Sequence, residues 1–125
     1  MAKKVLIIDE DNSYTDAVKD SLSAGGYEAI VSNSIKDGLN RAKEGISIIV
    51  LEAVFDNKPA GIDLVKQLKT NKDTQSIPVL MHTDIRTRMN LPFMLELDNE
   101  HLPADSLFEK SSDLKHLLSE INRLA

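Results

Sequence analysis

Ile46-Ser47-Ile48-Ile49-Val50-Leu51-Glu52 is a near-continuous apolar run, rich in β-branched residues, that stops abruptly at an acid. A run this short, apolar on both faces of the pleat, suits a strand at the centre of a parallel sheet, where helices cover both sides. Upstream, Val5-Leu6-Ile7-Ile8 has the same character and also ends in acids, Asp9-Glu10-Asp11. Between the two runs the period changes. Tyr14, Val18 and Leu22 recur every four residues after Asn12 or Ser13 as a cap, and Gly25-Gly26 ends that helix. Ala29-Ile30-Val31 is a weaker strand; Ser34 and Asp37 then open a second helix through Ile35, Leu39 and Ala42 that closes at Gly45.

The alternation continues downstream. A loop with Pro59 and Gly61 leads to Leu64, Val65 and Leu68 at helical spacing, then to a fourth strand, Pro78 to His82. Leu107-Phe108-Glu109 is a short fifth strand, and Ser112 or Asp113 caps a last amphipathic helix carrying Leu114, Leu117, Leu118, Ile121 and Leu124. Strands separated by helices of this size predict right-handed βαβ units in a doubly wound, flavodoxin-like α/β sheet of five parallel strands, order 2-1-3-4-5. The fourth helix is the exception. Pro92, Pro103 and the polar turn Asp98-Asn99-Glu100 interrupt the stretch from Asp84 to Asp105, so at most a short helix around 86–91 or 93–97 is expected.

The 125 residues read as one domain, 1–125, and an apolar content of 42% can supply one sizeable core. With no cysteine there is no disulfide framework or thiolate metal site. The apolar start is too short for a signal-peptide core or a membrane span, so a cytoplasmic protein is expected. A net charge of −5 lacks the basic footprint that nucleic acid or anionic lipid requires.

In such a sheet, ligands bind beyond the carboxyl ends of the central strands. Those ends supply Asp9-Glu10-Asp11, Glu52, Thr83 and Lys110. Carboxylates converging from adjacent strands repel unless a cation compensates, and either a hard divalent ion or the Lys110 ammonium could do so.

At these four places the sequence resembles the receiver domains of two-component response regulators. The stretches that carry the resemblance are Val5 to Asp11, Ile49 to Glu52, Ile77 to Thr83 and Leu107 to Lys110, in family order along nearly the whole chain. The resemblance implies that Asp9 and Glu10 match the acidic pair that helps hold Mg2+, with Glu52 completing the metal set. Glu52 also falls where the family carries its phosphoacceptor aspartate. Thr83 matches the hydroxyl that contacts the phosphoryl group and Lys110 the lysine that pairs with it. Four residues depart from the pattern: Glu52 itself, Asp84 where a small residue is usual, Leu107 where an aromatic switch residue is common, and Ser111 in place of proline.

Glutamate carries its carboxylate about 1.5 Å further from the backbone than aspartate, and Glu52 is expected to neutralise Lys110 directly or through a water. A carboxylate lacks the further oxygens of a phosphoryl group, which weakens the case for drawing Thr83 inward. The expected function is a non-enzymatic, phosphorylation-independent signalling module that docks a protein partner, a histidine kinase or a downstream signalling protein. The alternative is a conventional switch phosphorylated by a histidine kinase. A flavin carrier on the same fold is disfavoured, because Asp9-Glu10-Asp11 would repel a phosphate. Plainer readings compete for single residues: the acids as a helix start, Lys110 as a surface lysine, Thr83 as a cap, and Asp56 with Asn57 and Lys58 as a solvated loop, against the sharper reading of Asp56 as a substitute acceptor. His82, His101 and His116 have no ligand spacing and read as non-functional, and Met89, Phe93 and Met94 read as loop packing.

Overall fold

The computed structural model describes residues 2–92, 95–110 and 113–125. Five strands alternate with five helices: β1 (Lys4–Ile8), α1 (Asn12–Ala24), β2 (Glu28–Ser32), α2 (Ile35–Arg41), β3 (Ile48–Leu51), α3 (Ala60–Thr70), β4 (Val79–Thr83), α4 (Ile85–Arg88), β5 (Ser106–Glu109) and α5 (Leu114–Leu124). All pairings are parallel, in the order β2-β1-β3-β4-β5. This is the flavodoxin-like sheet the periodicity predicts.

Strand alternation divides the core in two. Val5, Ile7, Ile48, Val50 and Leu80 face Val18 and Leu22 of α1 and Leu117 and Ile121 of α5. Leu6, Ile8, Ile49, Leu51, Val79 and Met81 face the other way, against Leu64, Val65 and Leu68 of α3. β1, β3 and β4 are buried on both faces because they lie inside the sheet; the edge strands β2 and β5 are largely half-buried, which is why their sequence signals are weaker.

The helix starts are set by side-chain caps. The Asp11 carboxylate accepts from Tyr14 N–H, Ser34 Oγ from Asp37 N–H and the Asp113 carboxylate from His116 N–H. The first cap is Asp11 rather than Asn12 or Ser13, and the alternative Ser112 lies outside the described residues, as do Ser111, Phe93 and Met94.

The fourth helix is a single turn. After Arg88 the chain leaves helical geometry at Asn90, with φ of 51°. It then makes an antiparallel bridge between Asp98 and Leu102. The Asp98 carboxylate accepts from the N–H groups of Glu100 and His101, which is the polar turn expected there. Met89, Leu91, Leu95 and Leu102 cover the sheet where a longer helix would lie. Asp105 fastens the far end of this segment, accepting from Val79 N–H at 2.8 Å and from Lys69 Nζ at 2.7 Å.

Candidate functional site

The ladder of the sheet continues one residue beyond the strands and so fixes the backbones of the acidic edge. Asp9 N–H donates to Ser32 C=O, Glu52 N–H to Ile8 C=O and Lys110 N–H to Thr83 C=O, all at 2.9 to 3.0 Å. Four predicted site residues meet there. Lys110 Nζ lies 2.8 Å from Asp9 Oδ2 and 3.0 Å from Glu52 Oε2. The other Glu52 oxygen, Oε1, accepts from Val54 N–H at 3.0 Å and from the Thr83 hydroxyl, which in turn accepts from Ile85 N–H. Asp9 Oδ1 accepts from Asp11 N–H. Asp9 and Glu52 are each 1% exposed and Thr83 is fully buried, so these contacts stand in place of water. Contrary to the weaker expectation for a carboxylate, Thr83 is hydrogen-bonded to Glu52.

Two carboxylates and one ammonium do not balance, and burial sets how they share protons. Desolvation raises the Asp9 carboxyl above its ordinary range, against the opposing pull of Lys110 and the Asp11 N–H. Burial alone would lower the Lys110 ammonium; Asp9 and then Glu52 more than offset it, and it stays charged above the usual lysine range.

Glu10 does not join this group. Its carboxylate turns outward, where both oxygens accept from Asp56 N–H at 3.1 to 3.2 Å and Oε1 meets Arg88 Nη2 at 3.3 Å. Of the expected metal set, Asp9 and Glu52 face Lys110 while Glu10 turns away from them, and among the described residues no group of three His, Asp or Glu side chains is placed to hold an ion. Donors on the loop after β3 and on α4 draw the Glu10 carboxylate outward. Asp56 contributes its backbone to the site, from a left-handed conformation with φ of 51°. Asp84 sits at the mouth as the first residue before α4, with Arg88 Nη1 3.9 Å away.

Sequence reasoning missed Tyr14, His82 and Arg88. Tyr14 reads as an apolar position on α1, yet its hydroxyl contacts His82 Nδ1 at 2.5 Å and Lys110 Nζ lies 4.3 Å from its ring centre. Burial holds the Tyr14 hydroxyl well above the ordinary phenol range. His82, 1% exposed, is pushed down to about 4 by burial first and by Lys110 next, with His116 adding to the effect and a hydrogen bond with the Glu109 backbone opposing it. A histidine depressed from 6.5 favours the folded state above pH 6.5, and that contribution is lost as pH falls through about 4. An NMR titration of the His82 ring should accordingly give a midpoint near pH 4, with unfolding stability dropping over the same interval. A midpoint near 6.5 would refute the buried, Tyr14-bonded arrangement.

No protein-family model matches the chain. Individual proteins do. It is 29% identical over 121 residues to the transcriptional regulatory protein CpxR of Escherichia coli K12, covering 97% of this chain and 48% of CpxR. It is 32% identical over 84 residues to the alkaline phosphatase synthesis transcriptional regulatory protein PhoP of Bacillus subtilis, 66% of this chain and 34% of PhoP. Against the polar-differentiation response regulator DivK of Brucella ovis it is 28% identical over 83 residues, 66% of this chain and 68% of DivK. The chain thus spans about half the length of CpxR. In structure it matches the chemotaxis response regulator CheY4 of Vibrio cholerae with a TM-score of 0.79 at 19% identity, over 100% of both chains. A CheY-like receiver domain from Methanospirillum hungatei matches with a TM-score of 0.78 at 20% identity, over 98% of this chain and 93% of that one. The chain's relatives in sequence and its neighbours in fold are thus response-regulator receiver domains, and its own sheet gathers Asp9, Glu52, Thr83 and Lys110 at the carboxyl edge.

Proposed function

We propose that the chain is a phosphorylation-independent receiver of two-component signalling that works by docking a protein partner, a histidine kinase or a downstream signalling protein. One observation carries this: Glu52 holds Lys110 with one carboxylate oxygen and Thr83 with the other. In this reading Glu52 stands at the phosphoacceptor position, and the lysine and hydroxyl that would meet an incoming phosphoryl group are already engaged. The longer side chain fills the space of the group it would have to accept. A conventional phosphorylated switch is the competing reading, and it draws on relatives named as response regulators. The engaged oxygens of Glu52 weigh against it, since phosphoryl transfer depends on in-line positioning, and a displacement of about 1 Å can cost on the order of a hundredfold in rate.

The test is intact mass after incubation with acetyl phosphate and magnesium. Wild type should remain unlabelled, and Glu52→Asp should take up phosphate weakly, because Asp84 charges and narrows the approach and Arg88 holds Glu10. Glu52→Asp combined with Asp84→Ala should label more. Ready labelling of the wild type at Glu52 would overturn the proposal, and three unlabelled proteins would locate a further defect outside Glu52.

A further inference from the structure

The acidic edge has a second feature, the way its charges are met. Asp9, Glu10 and Glu52 contribute three carboxylates, and the chain supplies two cations of its own. Lys110 bridges Asp9 and Glu52 from the end of β5, and Arg88 reaches from the one-turn α4 to Glu10, with Asp84 on its other side. Of the six carboxylate oxygens of Asp9, Glu10 and Glu52, four accept hydrogen bonds from protein donors, and the buried Asp9 Oδ2 and Glu52 Oε2 are met by the Lys110 ammonium as ion pairs.

We infer that Lys110 and Arg88 are the resident counter-cations of this edge and that it takes no divalent metal. The argument is one of room. A magnesium ion requires a near-octahedral oxygen shell at roughly 2.0 to 2.1 Å and keeps several of its waters. Building that shell here would mean taking Asp9 and Glu52 from the Lys110 ammonium, or Glu10 from both Arg88 and the Asp56 N–H. The displaced ammonium, 12% exposed, would be left beside a dication in a poorly solvated place. The Arg88 contact is the weaker obstacle, because both partners are partly open to solvent.

The test uses Mn2+ alone, with no phosphodonor, followed by the loss of the free-ion EPR signal and by thermal unfolding with and without the ion. Wild type should show no stoichiometric binding at millimolar Mn2+ and no rise in unfolding temperature. Lys110→Ala should acquire a site, with affinity at least about tenfold above wild type, and Mn2+ should raise its unfolding temperature as its concentration rises. Arg88→Ala should gain a weaker site. Because the Arg88 pair is peripheral, that variant also decides the matter if Lys110→Ala does not fold. Stoichiometric Mn2+ binding by the wild type would overturn the inference, and so would folded variants that gain nothing. The inference shares its residues with the proposed function and fails separately from it: a wild type that binds Mn2+ yet accepts no phosphate would refute only the counter-cation reading.

Discussion

Lys110→Ala is expected to lower stability at neutral pH by roughly 3 to 5 kcal/mol, the usual consequence of removing one partner from a buried ion pair. The loss comes less from the missing attraction than from what it leaves behind: two carboxylates, Asp9 and Glu52, each 1% exposed, with no cation between them. The pH dependence follows from the same contacts. Asp9 already has a raised carboxyl pKa in the folded chain, so protonation favours the folded state; its contribution is full below 3.8 and declines as pH rises through the folded value. Without Lys110 the rise should be larger, and the deficit relative to wild type should shrink as the buffer is made acidic. Lys110, raised above 10.5, contributes stability at all lower pH that is lost as pH rises through its folded value, so the wild type should weaken in strong alkali and the variant should not follow it. Urea unfolding of both proteins across the pH range reads all three effects. A variant equal to wild type at neutral pH would mean that the carboxylates are solvated or protonated, and the buried network would have to be abandoned.

Gly61→Ala is the second substitution with a large expected effect. A Cβ at this position would lie 2.0 Å from the Glu52 carbonyl oxygen and 2.8 Å from Ala53 Cα, so the obstacle is backbone and cannot rotate aside. Overpacking commonly costs about 1 to 3 kcal/mol, and a backbone collision at the junction of a central strand with its helix belongs at the top of that range or above it. Relief requires α3 to withdraw from the end of β3, where Gly61 N–H donates to Ala53 C=O at 2.9 Å. Equilibrium unfolding should register a drop of roughly 3 kcal/mol, with a shift in the amide resonances of Glu52 and Thr83. A loss under about 1 kcal/mol would show that the contact relaxes freely.

Much of this architecture is written locally. β1, β3 and β4 are legible because a strand buried on both faces must be apolar at nearly every position, and Val5 to Ile8 and Ile48 to Leu51 satisfy that without help from distant residues. The interruption of the fourth helix is legible for the same reason: Pro92, Pro103 and the turn at Asp98 act through their own backbone. Asp9, Glu52, Thr83 and Lys110 could be placed together because strand ends converge in a parallel sheet whatever the side chains are. The direction of the Glu10 carboxylate was not legible. It depends on Arg88, 78 residues away on a stretch with no period to follow, and on the Asp56 amide of an irregular loop. Tyr14 was concealed by its spacing, which matches a helix face as well as it matches a partner for His82, 68 residues away.

The continuation of the ladder at Lys110 also orders events in time. Asp9 and Glu52 follow the first and third strands, whereas the ammonium that neutralises them follows the last. A chain emerging from the ribosome presents both acids before the lysine is made. Until β5 docks, bringing the Lys110 amide onto the Thr83 carbonyl, the two carboxylates must stay hydrated or take up protons. The acidic edge is therefore complete only in a sheet whose last strand is docked, and the lysine that balances its charge acts as a latch between the two ends of the chain.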